Sequence, residues 1–521
     1  VLLTLVALAF ADPSALYGEH GEDWDPIGRL PDFSYAGYHA GEADLPTIMR
    51  VTLVTDHGAI GDGITDNTAA FQAAIDATES GAIGIPAGTW RLDGELRINK
   101  SNIVLQGDGA ETVLSFTNPL EVIRGEAVQW SWNGGLIQVE PSGPTSTLTA
   151  VTNTAQRGDR TLQVADASAL SRGDLVVLSL IDDDAGTFGR HIHNDQFDGG
   201  TCTYQVPMTL DWPVFIAAVD GTTVTLAQPL RLDARAEWQP TLKTHPALTD
   251  VGVEHLTIAF PDVPYAGHLE EPGYNGVFFT RGVVDSWVRD VTFINADNGV
   301  LVDRLSKRHT IRDIAFEGRK GHHGLNIAFA SDGMYNGLMY EADFVHHITV
   351  DHRANGNVFK NVVGVAEVHL DHHRDGPFEN LFSQFDAEVS FFHGGNFCAG
   401  HPAGARETMW GLPGPLQPPY WAAAQANVVG DLTLDDSQTD DAEWVENVPA
   451  LTPVDLHQDQ LDRRLGVPIP DVETDTESDS AINSPPDTGA DCACQNTGAP
   501  VNPLWLCLAV FGYRRRQPPQ S

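Results

Sequence analysis

Val54-Thr55-Asp56-His57-Gly58-Ala59-Ile60-Gly61-Asp62-Gly63-Ile64-Thr65-Asp66-Asn67-Thr68-Ala69-Ala70-Phe71-Gln72-Ala73-Ala74-Ile75 is the stretch on which the fold turns. Glycines 58, 61 and 63 permit a tight loop with left-handed backbone, Thr65 or Asp66 can cap a helix start, and Ala70, Phe71, Ala74 and Ile75 then recur at helical spacing. A short amphipathic helix is therefore expected after a turn. Two strand-sized runs bounded by turn residues follow, Gly84-Ile85-Pro86-Ala87-Gly88-Thr89-Trp90-Arg91-Leu92 and Ser101-Asn102-Ile103-Val104-Leu105-Gln106-Gly107-Asp108-Gly109.

Loop, helix, Ile-Pro-Ala-Gly-Thr-Trp strand and Gly-Asp-Gly turn, in that order over Val54 to Gly109, resemble the opening of the pectate-lyase superfamily domain. That resemblance implies an all-β fold, a right-handed parallel β-helix closed at its N-terminal end by a capping helix. In that family the stretch is architectural, so Asp62 and Asp66 are assigned a structural role.

Downstream, triplets preceded by a polar residue fit the coils of a solenoid: His255-Leu-Thr-Ile, Asp290-Val-Thr-Phe, Asp313-Ile-Ala-Phe, His347-Ile-Thr-Val, Asn361-Val-Val-Gly and Asn380-Leu-Phe-Ser. Spacings of 23 and 19 residues suit one coil, 35 and 34 require inserted loops, and 14 is too short, so one triplet is out of place. Between Ser142 and Leu242, alternating strands separated by turns such as Arg172-Gly173-Asp174 and Asp220-Gly221-Thr222 predict a small antiparallel β insertion, expected to wall the binding groove.

The organisation read from the sequence is a secretory leader over 1–11, first coils over 12–141, the insertion over 142–242, the main β-helix with the active groove over 243–466, an acidic linker over 467–490 and a sorting tail over 491–521. In the tail, Asp491-Cys492-Ala493-Cys494, the apolar Pro503 to Tyr513, and Arg514-Arg515-Arg516 resemble the sorting tails of exported myxobacterial proteins, which implies export and anchoring at the envelope. Cys202 and Cys398 are the remaining cysteines and are open to pairing. With 71 acidic against 30 basic residues the net charge is −41, which excludes a nucleic-acid partner bound through phosphates.

Against that background, residues 304–374 hold 9 Lys or Arg, 8 Asp or Glu and 9 of the chain's 20 His, so an anionic polysaccharide is tolerated there and repelled elsewhere. The sharpest constellation is Glu367-Val368-His369-Leu370-Asp371-His372-His373-Arg374. If it is a strand, Val368 and Leu370 face the core and Glu367, His369, Asp371 and His373 project together. An imidazole beside carboxylates suits a general base, and an Arg suits a uronate carboxylate. His373 or His369 is read as the base, Arg374 or Arg353 as its partner, with Asp371 and Glu367 beside them. Arg353, His346, His323, Tyr335 and Trp410 are read as substrate-binding. In the pairs His322-His323 and His346-His347, alternation allows only one ring each to face the groove, which disfavours a histidine-bound transition metal. Calcium held by Asp and Glu stays open, and no other cofactor is called for. His373 and its neighbours, with Gly394, Glu407 and the Phe33 to Tyr38 entry, also resemble the core of a subset of bacterial β-helix proteins, a resemblance that names no reaction.

The leading reading is a polysaccharide lyase cleaving an acidic glycan by β-elimination. A glycoside hydrolase drawing a carboxylate pair from Glu341, Asp343, Glu367 and Asp371 comes second. A non-catalytic adhesin stacking sugars on Tyr335, Tyr340, Trp410 and Trp421 comes third.

Overall fold

The computed structural model describes residues 12–125, 129–195, 208–392, 403–416, 424–432 and 443–467. The leader, the linker beyond Val467, the tail, all five cysteines, Gly394 and Trp421 lie outside the described residues.

Strands stack in parallel on three faces. The broadest face joins fifteen strands among the described residues, with Gly252–Ala259, Trp287–Ile294, Thr310–Glu317, Met334–Tyr340, Val358–Gly364 and Leu381–Asp386 as its central run. A second face of eight strands includes Asn275–Phe279, Asn298–Val302, Gly321–Ala328, Phe344–Asp351 and Val368–His372, which we label β1 to β5. The third is a narrow ribbon. It begins where Leu248–Thr249 pairs with Val283–Val284 and continues as single bridges from Val284 through Lys307, Ser331 and Asn355 to Phe378. This is the expected right-handed parallel β-helix.

One backbone column makes each broad-face strand turn. His255, Asp290, Asp313, Gly337, Asn361 and Gln384 share a register position, and their φ values lie between 51 and 70 degrees in the left-handed region. Asn, Asp and Gly tolerate that region best, which explains the recurring polar residue ahead of an apolar triplet. Side chains join neighbouring rungs: His255 Nδ1 lies 2.7 Å from Asp290 Oδ2, and Asn361 Nδ2 donates to Asn336 Oδ1 at 2.7 Å. Two of the triplets belong elsewhere, although only the 14-residue gap marks one as out of place. His347 sits on β4 of the second face, and Asn380 stands at another corner, where Asn357 Nδ2 donates to Asn380 Oδ1 and Asn380 Nδ2 to Glu407 Oε1.

Inside the coils, aromatic rings stack one per turn. Phe293, Phe316 and Tyr340 lie 5.6 and 4.7 Å apart, and Tyr335, Phe359 and Phe382 lie 4.4 and 5.0 Å apart, each ring nearly parallel to the next. Tyr335 and Tyr340 are therefore core residues, closed to any glycan, and their expected role in stacking sugars is corrected. The same holds for Trp410. It lies beneath Tyr17 of the N-terminal segment, fully buried, with Nε1 donating to Pro453 O at 2.7 Å.

Helix Thr68–Ala77 closes the N-terminal end of the core with Phe71, Ala74 and Ile75, and Phe71 packs edge-on against Trp90 at 5.7 Å. Asp62 accepts from the amides of Ile64 and Thr65, and Asp66 from those of Thr68 and Asp93, so both carboxylates are occupied in shaping the loop. The insertion is a six-stranded antiparallel sheet from Ser146–Ala150 to Thr241–Thr244 around its own apolar core of Val176, Leu178, Trp212, Val214, Trp238 and Leu242. It docks on the third face, where Lys307 Nζ lies 5.0 Å over the Trp212 ring and Arg308 stacks 3.9 Å over Phe215.

Candidate functional site

The outward side of the second face carries the chemistry. Along β1 to β5, Val277, Val300, Leu325, Ile348 and Leu370 point into the core. Their outward neighbours form the column Phe278, Leu301, Asn326, Thr349 and Asp371. A second column runs Asn275, Asn298, His323 and His346. It is tied together by Asn298 Nδ2 donating to Asn275 Oδ1 (2.6 Å) and by the contact of His323 Nδ1 with Asn298 Oδ1 (2.8 Å).

These columns bring together an alternating row of carboxylates and imidazoles. Asp371, whose side chain is fully buried, approaches His373 Nδ1 at 2.9 Å and His346 Nδ1 at 3.5 Å with the same oxygen, Oδ2. To one side, Glu271 Oε1 lies 3.3 Å from His322 Nδ1, and the Glu271 carboxylate accepts from Ser131 Oγ (2.5 Å) and from the Tyr265 hydroxyl. To the other, Asp351 Oδ1 meets His352 Nδ1 at 2.7 Å and Arg374 Nε at 3.8 Å, and Asp375 meets His352 (3.5 Å) and Arg353 (3.4 Å).

Burial and charge set the protonation of this row. Burial pushes the His346 imidazole down to about 4 although Asp371 opposes it, and burial holds His323 well below the ordinary range, so both are neutral near pH 7. For His373 burial acts the same way, but the hydrogen bond to Asp371 and the charge of Asp351 outweigh it, and the net shift is upward. Burial tends to raise the Glu271 and Asp351 carboxyls. Hydrogen bonds and imidazole charge overcome it, at Glu271 from His322 and at Asp351 from His352, and bring each down to about 2.

Beside the row opens a cleft of about 590 Å³ lined by Trp132, Phe278, Asp303, Arg304, Phe329 and Arg374, among others. Trp132 is 38% exposed, and Phe329 is flanked by the guanidinium of Arg304 at 4.6 Å and by His352 stacked at 4.5 Å. Acidic Glu140, Asp303 and Asp351 alternate on its walls with Arg281, Arg304 and Arg374. No residue between 146 and 244 lines it among those described, so the insertion does not wall this cleft as expected.

Of the residues singled out in the sequence, His373, Asp371, Arg374, His346 and His323 come together here. Arg353 lies behind them, 5% exposed, with its guanidinium over Phe329. His369 stands apart with Glu367 (3.6 Å) and His347, its Nδ1 on the Val345 carbonyl, so Glu367 and His369 are not part of the row. The four carboxylates proposed as a hydrolase pool do not pair either, since Asp343 holds Lys320 at 2.7 Å and Asp371 is committed to imidazoles. His322 and His323 lie on the same face, rings 3.9 Å apart and 22 degrees from parallel, contrary to strict alternation. Both of their amides donate to the Asp297 carbonyl, at 2.7 and 3.3 Å, which bends the strand at that point. Sequence reasoning passed over His268, Glu271 and Trp132. His268 and Glu271 lie on an irregular segment between strands, and only the strand register reveals their neighbours.

A family model described as rhamnogalacturonase A/epimerase, pectate lyase-like, matches residues 51–132. The mannuronan C5-epimerases AlgE3 and AlgE5 of Azotobacter vinelandii are 45% identical over 76 residues, 12% of this chain but only 4% and 8% of theirs. The chain thus spans less than a tenth of the length of these curated relatives. Among solved structures, the tailspike protein gp49 from Pseudomonas phage LKA1 has a TM-score of 0.48 at 15% identity, covering 73% of this chain and 63% of that one. The AlgE4 A-module of Azotobacter vinelandii has a TM-score of 0.27 at 14% identity, covering 78% and 98%. The family match includes the loop, the helix and the first coils and stops short of β1 to β5.

Proposed function

We propose that this protein acts on a uronate-containing polysaccharide by removing the proton beside the sugar carboxylate, with His373 as base and Arg374 as the group that holds that carboxylate. The observation that carries the reading is the buried Asp371 held 2.9 Å from Nδ1 of a part-exposed His373, next in sequence to an Arg on the wall of the cleft. The carboxylate fixes the ring through Nδ1 and leaves Nε2 for the proton. Neutralising the uronate carboxylate lets it take up the electron pair released when C5–H breaks. In a lyase the pair then returns to form the C4–C5 double bond, the C4–O4 bond breaks, and O4 leaves with a proton supplied by protonated His373 or by water. Trp132, 38% exposed on the wall of the cleft, offers flat apolar surface to a sugar ring.

A second outcome of the same first step is epimerisation, in which C5 takes a proton from water on the opposite side, His373 passes the one it removed to solvent, and no bond to O4 breaks. The 45% identity to mannuronan C5-epimerases over 76 residues supports this second outcome. A secreted or surface-held protein would meet such glycans, in keeping with the leader and tail read in the sequence.

The test incubates the protein with polymannuronate, polyguluronate, pectate and glycosaminoglycans. Near-ultraviolet absorbance follows unsaturated ends, and proton NMR follows C5 configuration. A rise in absorbance establishes the lyase, and a change of configuration without it establishes the epimerase. Silence in both across the panel overturns the reading.

A further inference from the structure

We infer that His268, His322 and His346 bind a divalent transition metal of the zinc type, a site that goes beyond the glycan reading and stands or falls independently of it. One ring nitrogen from each of the three residues lies within 4.8 Å of the other two. Ring centroids are 4.8 Å apart for His268 and His322, 5.9 Å for His268 and His346, and 5.5 Å for His322 and His346. His268 meets the other two edge-on, at 85 and 73 degrees, rather than stacking on them.

Two of the three rings have a carboxylate behind them. Glu271 sits 3.3 Å from Nδ1 of His322, and Asp371 sits 3.5 Å from Nδ1 of His346. A carboxylate on one nitrogen fixes ring orientation and raises the basicity of the other, the arrangement found behind metal-bound imidazoles. In the proposed site Nε2 of His322 and of His346 would then take the ligand role. Behind them His323 stacks on His322, held through Asn298, and forms a floor rather than a fourth ligand.

Two ligands at about 2.1 Å on a tetrahedral ion stand about 3.4 Å apart, so nitrogens within 4.8 Å of one another have to draw together by up to about 1.4 Å. His322 and His346 lie on strands, but His268 belongs to the irregular segment between Ala259 and Asn275 and is exposed, so it is the ligand able to close. Three imidazoles without a carboxylate oxygen among them suit zinc, copper, nickel or iron rather than calcium. A fourth position stays available to water or to a glycan oxygen. Because His346 and His373 share Asp371, a metal here would be coupled to the proposed base through one carboxylate.

The experiment uses the full chain without a histidine tag, stripped with a chelator and titrated with Zn²⁺ by calorimetry and with Co²⁺ by visible absorption. The expected result is one tight equivalent, with the intense Co²⁺ bands of low coordination number. His268→Ala, on the irregular segment, should leave the circular dichroism unchanged and weaken binding at least tenfold. Glu271→Gln should weaken it about 10- to 100-fold, and His255→Ala, on the broad face, should not change it. No binding by the parent chain, or equal affinity in His268→Ala, overturns the site. Neither result depends on any glycan being turned over, so the two readings fail separately.

Discussion

Two polar regions flank the coils and treat buried charge in opposite ways. Under the insertion, Asp332 is gripped by Lys307 and by Arg231 (2.7 Å), while Glu379 is gripped by Arg231 (3.1 Å), Arg157 (2.8 Å) and Arg406 (2.7 Å). Every charged partner there is a cation near pH 7, and Gln228 Nε2 also donates to Asp332 Oδ2 at 3.1 Å. Although burial drives the Lys307 amine down to about 8, Asp332 helps keep it charged, and the surrounding guanidinium groups do not titrate. On the second face the carboxylates Glu271, Asp371 and Asp351 face imidazoles instead, and one side opens on the cleft. Permanent countercharges lock a docked element in place. Titratable countercharges leave protons and coordination positions to be exchanged, and that difference marks the second face as the functional one.

The largest expected effect tests that assignment. His373→Ala should lower turnover on the responsive glycan by about 10²- to 10⁴-fold, while the melting transition stays within about 1 kcal/mol of the parent because the side chain is part-exposed. A protein that loses stability instead of rate would make this face structural too. Asp332→Ala is the mirror experiment. Leaving Lys307 and Arg231 buried with one carboxylate fewer should cost about 3–5 kcal/mol in denaturant unfolding. Replacing the pair together, Lys307→Met with Asp332→Leu, should recover most of that loss. If the single variant is neutral, the network is not what holds the insertion.

How far each region was legible follows from how local its signals are. The β-helix was readable because the loop, helix and strands of residues 54–109 are contiguous and because left-handed residues recur once per coil. His347 and Asn380 were misassigned since a polar residue before an apolar triplet also occurs at other corners. Tyr335 was misread as a platform although Ile311, Phe359 and Phe382 occupy its register in neighbouring coils, an apolar column that marks an inward position. The near-neutral strip over 304–374 is real in sequence yet divided in space: Lys307 serves the third face, and Lys360 pairs with Asp455 at 2.6 Å, away from the cleft. The Asp371 and His373 pair was legible by alternation. The partnership of His268, Glu271 and His322 depends on a bent strand and a long irregular segment, which no local spacing encodes.

Acid sharpens the comparison with a smaller effect. Burial opposes ionisation of Glu379, but Arg157, Arg406 and Arg231 bring its carboxyl down from 4.5 to about 2. Its folded value is depressed, so its contribution is fully present above about pH 4.5 and is lost as pH falls toward about 2. The loss is on the order of 3 kcal/mol. Urea melts across that window should show it, and Glu379→Gln should flatten the dependence while lowering stability at neutral pH. An unchanged slope in Glu379→Gln would move the acid sensitivity elsewhere.

The smallest effect separates charge from shape at the cleft. Arg374 is 31% exposed at the side chain and only loosely engaged, with Nε 3.8 Å from Asp351, so its planar fork is available to a substrate carboxylate. Lys at this position keeps the charge and loses the fork, so Arg374→Lys should raise KM by about three- to tenfold with kcat within about twofold. A fall in kcat at constant KM would instead place the guanidinium on the developing enolate. The matching change under the insertion, Arg231→Lys, removes a fork that bridges Asp332 and Glu379 and should appear in the melt and not in KM. The same substitution read out in two different quantities is what separates a face that binds from a face that holds.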